Sequence, residues 1–338
     1  MHPLINDALA PPPAAFAEAP TDGDRLRLLL PYAVRAPSVY NTQPWRFEVA
    51  AAYVDLYADR SRALPVIDPH GRQRILSCGA ALFYLRTAIH YFGYTDQVAL
   101  FPNGRDSDLL ARVTLGDRWP ATQADGLLFR AIPQRHTARQ PFADWPLPQV
   151  LLGDLEAAAA NEGAWLHLVD TPVGRLAFSD LVAAGDQQLW ADAAFRAEMA
   201  GQLAAGQHAP SDGLAYAGAP DPFVAQQFDL GYSQARQDRQ WLAEAPGLAV
   251  LGTPADDPPA WLAAGQGLAH LLLRAAAQGV AAAFLNRPVE IPTLRTDIGR
   301  LVERHGYPQV LIRLGYAQVA PPSARRPVAA VTLPPAED

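Results

Sequence analysis

The stretch SCGAALFYLRTAIHYFG, residues 77–93, decides the fold because the chain repeats its pattern much later. Residues 263–279 read AAGQGLAHLLLRAAAQG, and the two stretches align without a gap when Gly79 is placed on Gly265. Leucines then coincide at helical spacing, and each stretch closes on a glycine that can end a helix. We therefore expect two matching helices and, with them, two similar halves in one chain.

The repeat extends to both sides of these helices. After each helix an apolar strand pattern ends in the same way, in VTLG at 113–116 and in IRLG at 312–315. Upstream, the helix and strand patterns of 26–49 are echoed at 148–169. Chance similarity between alanine- and leucine-rich helices is the alternative, but the ordered match favours duplication. Two α+β halves of this kind would resemble a homodimer fused head to tail, with a ligand site at the pseudo-two-fold interface.

Composition narrows the range of functions. All 27 basic residues among the 338 are arginine, which excludes lysine Schiff-base chemistry and the phosphate-binding lysine of the Walker motif. Any anion site must therefore use arginine, backbone N–H groups or hydroxyls. The net charge of −7 argues against nucleic acid as a partner.

The remaining global features indicate a cytoplasmic protein without a metal site or a membrane span. Cys78 is the only cysteine, so the chain has neither an intrachain disulfide nor a CxxC metal motif. No apolar run reaches about 18 residues, and the N-terminal sequence does not have the pattern of a signal peptide. At the start of its helix Cys78 could have a lowered pKa, but we interpret it as a small packing residue.

One polar segment occurs only in the second half. It is IPQRHTARQPF, residues 132–142, which places Arg135, Thr137 and Arg139 within five residues between two prolines. Two guanidinium groups and a hydroxyl in an irregular segment can cradle a phosphate, because arginine binds phosphate through a bidentate fork. A solvated basic loop is the alternative interpretation.

A second polar segment occurs only in the first half. It is PSVYNTQPWRF, residues 37–47, a predicted turn between a helix and a strand. Ser38, Asn41 and Gln43 can present donors and acceptors to a heteroaromatic ring, although an ordinary turn anchored by a buried tryptophan is equally compatible. Each half therefore keeps one of the two polar segments of a ligand site. If the halves pack as a dimer does, the two segments would meet at one of the two equivalent positions, which gives one complete site and one degenerate site.

These segments resemble a known family. RHTARQPF resembles the phosphate-binding opening of the flavin-dependent nitroreductases, and APSVYNTQPWRF resembles their APS-x-x-N-x-QPW-x-F segment. GYPQVLIRLGYAQVAPPSARRPVAAVTL is similar to the family's last strand and basic tail, while DPHGRQRILSCGAAL and FLNRPVE are similar to its fused-duplicate, Acg-like branch. The resemblance implies an internally duplicated three-layer α-β-α fold of the α+β class, with one nitroreductase-like half at 1–120 and another at 121–338.

The resemblance also implies an FMN site, with one FMN expected per chain. The phosphate would be held by Arg135, Thr137 and Arg325, with Arg326 adjacent and His136 adding backbone or ring contacts. The chemistry would belong to flavin N5, so no catalytic side chain and no metal are expected.

The flavin ring would lie against residues from both halves. Arg139 matches the family's basic residue near flavin N1 and O2, where a cation stabilises the negative charge of the reduced ring. Pro37, Ser38 and Val39 would contact the ring and ribityl chain, and Asn41 and Gln43 would support their turn. Leu285, Asn286 and Arg287 match the loop beside the ring.

The function implied is an NAD(P)H-dependent oxidoreductase that reduces small-molecule acceptors such as nitro compounds or quinones by ping-pong turnover. The chain would act as a pseudo-dimeric monomer, with further homo-oligomerisation left open. The alternative is a flavin-sequestering Acg-like protein with little turnover, in which a lid at about 205–240 covers FMN. For residues 205–240, the other interpretation is an ordinary long segment that packs on the surface. For the whole protein, the third interpretation is an interaction protein that binds no flavin.

Overall fold

The computed structural model of the chain describes residues 13–204, 242, 245–318 and 323–334. The hypothesised lid at 205–240 lies outside the described residues. Within the described part, two four-stranded antiparallel sheets are accompanied by ten α-helices. None of these described helices is both long enough and apolar enough to cross a bilayer.

The first sheet has the strand order β1-β2-β4-β3. Its strands are β1 (Trp45–Val49), β2 (Tyr53–Ala58), β3 (Tyr94–Leu100) and β4 (Leu109–Arg118). The helices of this half are α1 (Pro13–Glu18), α2 (Asp22–Ala33), α3 (Arg72–Tyr91) and α4 (Gln123–Ala131), with short 3-10 turns at Val39–Asn41 and Arg60–Arg62.

The second sheet has the strand order β5-β6-β8-β7. Its strands are β5 (Trp165–Leu168), β6 (Gly247–Thr253), β7 (Ala281–Phe284) and β8 (Tyr307–Gly315). The helices are α5 (Gln149–Asn161), α6 (Pro172–Ala191), α7 (Ala193–Ala204), α8 (Pro258–Ala277), α9 (Arg287–Glu290) and α10 (Pro292–Leu301), and a 3-10 turn lies at Val328–Ala330.

The two halves share one plan. In each, a helix leads to the first of two antiparallel strands, a long helix follows the second, and two more strands complete a sheet of the same order. The first two strands form a hairpin only in the first half, because α6 and α7 lie between β5 and β6. Both long helices end before a left-handed glycine, Gly93 with φ of 84° and Gly279 with φ of 72°. Glycine adopts this conformation without the steric penalty of a Cβ atom. The expected internally repeated α+β fold is therefore confirmed.

The long helices α3 and α8 cross with their backbones in contact. A Cβ atom on Gly265 would lie 1.9 Å from the carbonyl oxygen of Leu76 and 2.9 Å from Cα of Gly79. A Cβ atom on Gly79 would lie 2.2 Å from the carbonyl oxygen of Leu262 and 3.0 Å from Cα of Gly265. Each leucine precedes its glycine by three residues, so the contact is itself symmetric between the halves.

A buried arginine ties the start of α3 to the second half. The guanidinium of Arg72 donates to the carbonyl oxygens of Gln309 at 2.9 Å and Val289 at 2.8 Å. Asp68 caps the same helix start by accepting from the backbone N–H of Gln73 at 3.1 Å. The first turn of α3 is consequently fixed against β8 and α9.

The C-terminal segment packs on the first half. The backbone N–H of Phe47 in β1 donates to the carbonyl oxygen of Val331 at 2.8 Å, and Leu333 donates back to Phe47 at 2.8 Å. Residues near 138 run beside β7 in a comparable way, since Ala138 N–H donates to the carbonyl oxygen of Ala282 at 2.8 Å. Each sheet thus gains an extra strand-like segment from the second half of the sequence. The division of the chain at residue 120 stays a prediction.

We expect Gly265→Ala to lower the free energy of unfolding by about 3 kcal/mol or more, because the new methyl group meets a helix backbone that cannot move aside locally. Urea unfolding monitored by tryptophan fluorescence measures the change. Gly153→Ala on α5 is the matched control, since no atom of the described residues lies within 4 Å of its Cβ position. That control should gain about 0.5–1 kcal/mol, and an equal loss in both variants would contradict the crossing constraint.

Candidate functional site

A cavity of about 270 Å³ lies between the two halves. Its wall contains the turn that follows α2, the first turn of α3, the RHTAR segment, the end of β7 and the C-terminal tail. The predicted site residues in this wall are Pro37, Ser38, Val39, Asn41, Arg135, Thr137, Arg139, Leu285, Asn286, Arg287 and Arg325. Three others, Gln43, His136 and Arg326, are not in the wall, although they belong to the chain segments that form it.

One end of the cavity is rich in guanidinium groups. Arg135 follows α4, where its backbone N–H bonds to the carbonyl oxygen of Ala131 at 2.9 Å, and its side chain lies 3.5 Å from Oγ1 of Thr137. Nε of Arg135 is buried and has no hydrogen-bond partner among the described residues. A buried donor without an acceptor costs about 1–3 kcal/mol, so this end favours an anionic ligand.

The turn after α2 has an unusual backbone. Tyr40, Asn41 and Gln43 have φ angles of 44°, 53° and 51°, in the left-handed region that disfavours side chains with a Cβ atom. The turn is held by hydroxyls on both sides: Oγ of Ser38 accepts from Gln43 N–H at 3.0 Å, and Oγ of Ser77 accepts from Val39 N–H at 3.1 Å. Strain held in this manner is common at binding sites.

This turn from the first half holds the tail of the second half. The amide of Asn41 donates to the carbonyl oxygen of Ala324 at 3.3 Å and accepts from Arg325 at 3.2 Å. Oε1 of Gln43 accepts from the backbone N–H of Arg326 at 2.8 Å, while its Nε2 donates to the carbonyl oxygen of Asn41 at 3.1 Å. The two amides therefore support the turn and also place Arg325 in the cavity wall.

The sequence comparisons decide the family. No protein-family model matches the chain. "Putative NAD(P)H nitroreductase Rv3131" from Mycobacterium tuberculosis (strain ATCC 25618 / H37Rv) is 33% identical over 344 aligned residues, covering 96% of this chain and 96% of that protein. The chain belongs to the NAD(P)H nitroreductase family. The resemblance carried by the RHTAR, QPW and tail segments is thus confirmed.

Further proteins are similar to this nitroreductase family member. "Putative NAD(P)H nitroreductase acg" from the same strain is 27% identical, covering 90% of this chain and 94% of that protein. A nitroreductase with bound FMN from Desulfitobacterium hafniense DCB-2 aligns with a TM-score of 0.40 and 15% identity, over 61% of this chain and 97% of its own. NfnB from Mycobacterium smegmatis, in complex with NADPH, aligns with a TM-score of 0.38 and 18% identity, over 64% and 96%.

Sequence reasoning missed Arg313, an arginine that also lies in the cavity wall. Arg313 lies in β8 and is 2% exposed, its guanidinium 4.8 Å from the ring centre of Phe142. One of its N–H groups donates to the carbonyl oxygen of Gln140 at 3.4 Å. A charged residue inside the apolar run QVLIRLG was the available signal, because buried charge requires a partner or a ligand.

The far end of the cavity carries acidic residues that sequence reasoning also missed. Asp186 on α6 pairs with Arg287, and that guanidinium lies 5.6 Å from the ring centre of Trp190. Glu290 and Gln73 lie beside them in the wall, with 3.4 Å between Nε2 of Gln73 and Oε1 of Glu290. Burial raises the pKa of Glu290 to about 7. The cavity wall therefore contains carboxyl groups as well as guanidinium groups.

The interpretation of Cys78 as a packing residue agrees with its surroundings. The thiol is completely buried and donates to the carbonyl oxygen of Pro44 at 3.2 Å, and burial raises its pKa. A protonated, inaccessible thiol is a poor nucleophile. Among the described residues, no group of three or more histidine, cysteine, aspartate or glutamate side chains is arranged to bind a metal.

The corresponding turn of the second half is built differently. Glu162 precedes Trp165 by three residues, as Thr42 precedes Trp45 in the first half. Arg86 donates to Oε2 of Glu162 at 2.7 Å, and the same guanidinium reaches Asp96 at 2.8 Å. Ion pairs therefore hold this turn, and the halves differ at the place where the sequence predicted that they would.

We expect Gln43→Leu to loosen the tail, because the substitution removes both amide bonds to Arg326 and Asn41. Limited trypsin digestion should cut after Arg325 roughly ten times faster, which corresponds to a loss of about 1.4 kcal/mol of local stability. Gln97→Leu, at an exposed position of β3, is the control. Equal cleavage rates in both variants would show that Gln43 does not hold the tail.

Proposed function

We propose that the chain binds one FMN in the cavity between its halves and works as an NAD(P)H-dependent oxidoreductase on small acceptors such as nitro compounds or quinones. The observation that carries this proposal is the meeting of the two polar segments, the turn that follows α2 and the RHTAR segment, in one cavity wall. The name of the relative Rv3131 supports the donor and the reaction class.

The guanidinium-rich end suits the FMN phosphate. Arg135 and Arg325 lie in the wall together with the hydroxyl of Thr137, and the buried Nε of Arg135 offers a donor that no described residue satisfies. Arginine matches phosphate geometry through its fork and keeps its charge when partly buried. Arg326 supports this end through its backbone bond to Gln43.

The middle of the cavity suits the flavin ring. Pro37, Ser38 and Val39 line the cavity from one half of the chain, and Leu285 and Asn286 line it from the other. Apolar walls with few fixed polar groups are typical of cofactor sites. The strained turn would position the flavin ring, because the hydrogen bonds within the turn already hold its backbone in place before any ligand binds.

The arginines near the ring would tune its chemistry. Arg139 and Arg313 both lie in the cavity wall, Arg313 in β8. FMN supplies hydride transfer when bound, and a fixed cation nearby stabilises the negative charge of the reduced form. The residues of the chain would bind and orient the cofactor and keep water away from it. The electron donor and the acceptor would occupy the same cavity in turn.

We expect Arg135→Ala and Arg325→Ala to weaken FMN binding by roughly 10- to 100-fold each, because a hydrogen bond to a charged group contributes about 1.5–3 kcal/mol. Titration of apoprotein with FMN, monitored at the flavin band near about 450 nm, measures the affinity. Arg105→Ala at an exposed loop is the control. Full FMN occupancy in both site variants would refute the proposed phosphate site.

We expect Arg139→Gln to keep FMN bound and to lower its midpoint potential by roughly 30–60 mV, since about 30 mV corresponds to a tenfold change for a two-electron couple. Reduction by NADPH in stopped flow should slow accordingly. A potential equal to that of the wild type would show that Arg139 does not stabilise the reduced cofactor.

A further inference from the structure

The acidic end of the cavity contains a carboxyl group with one unsatisfied oxygen. Glu290 ends the one-turn helix α9 and lies in the cavity wall. Its Oε1 lies 3.4 Å from Nε2 of Gln73, while its Oε2 is buried and has no hydrogen-bond partner among the described residues. A buried carboxyl oxygen without a donor is costly when ionised, so the group favours its protonated form.

The surroundings of Glu290 contain charges of both signs. They are Arg287 on its own helix, Arg72 on α3, Asp68 before α3, Asp186 on α6 and Tyr40 in the strained turn. Arg72 is already bonded to main-chain oxygens, and Arg287 is paired with Asp186. Burial is the dominant effect and raises the pKa of Glu290 to about 7, while the two arginines lower it. The carboxyl group therefore holds a proton below neutral pH and can release it near neutral pH.

We propose that Glu290 is the proton donor to an acceptor of the quinone class bound in the cavity. This inference rests on the proposed function. Asp186 differs from Glu290 because one of its oxygens is paired with the guanidinium of Arg287. Asp186 and Glu290 each have a buried oxygen without a hydrogen-bond partner among the described residues, but Glu290 has no arginine paired with its other oxygen, and burial raises its pKa to about 7.

The transfer balances in atoms and charge. A quinone becomes a hydroquinone when it gains a hydride, originally from NAD(P)H, and one proton. The O–H bond of the Glu290 carboxyl breaks as a new O–H bond forms on a quinone oxygen, which leaves Glu290 as a carboxylate. Solvent then returns a proton to Glu290 before the next turnover. A positioned acid of this kind typically contributes 10²–10⁴-fold to rate.

The test compares two acceptors in the FMN-loaded full chain with NADPH as donor. Glu290→Gln keeps the shape of the side chain and removes its acidic proton. Quinone turnover should fall on the order of 10²-fold, whereas ferricyanide, which accepts single electrons without a proton, should be reduced at the wild-type rate. Glu156→Gln, at an exposed position of α5, should change neither rate. Quinone turnover of the wild type should also decline as the pH rises above about 7.

A second measurement needs no turnover. Because folding raises the pKa of Glu290 from 4.5 to about 7, the native state holds its proton more tightly. Wild-type stability in urea should therefore decline relative to Glu290→Gln as the pH rises from 4.5 to about 7. A difference that stays constant over this range would mean that the carboxyl is already ionised and would overturn the proposal.

The remaining outcomes separate the two levels of inference. Unchanged quinone turnover in Glu290→Gln, or equal losses with quinone and ferricyanide, would refute the proton-donor role and leave the proposed function intact. A wild-type chain that does not oxidise NADPH with either acceptor would refute the proposed function, and the proton donor with it.

Discussion

The backbone contact between Gly79 and Gly265 is the constraint on which the rest of the structure depends. Two long helices can approach this closely only where neither carries a Cβ atom, because the position is occupied by a carbonyl of the opposite helix. The contact fixes how the halves face each other. The turn after α2 and the RHTAR segment, which come from different halves, both line the cavity between them.

The cavity is built from parts that are far apart in the chain. The bond between Gln43 and Arg326 spans 283 residues, and the Arg72 bond to Gln309 spans 237. Such contacts link the two halves, since the turn after α2 in the first half holds the C-terminal tail of the second half. All the basic side chains that make these contacts are arginines, because the chain contains no lysine.

Several features could be predicted from local patterns. The helix repeat was visible because leucine spacing and closing glycines are properties of each helix alone, and the polar segments were visible because proline and asparagine mark turns. Arg313 carried a signal, a charge inside an apolar strand pattern, but the strand pattern alone does not show what the guanidinium faces. Glu290 was missed for a physical reason, because only the approach of other elements buries it and raises its pKa.

By itself, the sequence determined the repeated α+β plan, the family and the segments that carry arginines and amides. These depend on short-range periodicity and on residue type, which need no knowledge of distant neighbours. Tertiary structure alone decided which side chains of these segments line the cavity, that ion pairs through Arg86 hold the turn before Trp165, and that burial raises the pKa of Glu290 to about 7. Burial and charge pairing act through space, so they exist only once the helices have crossed.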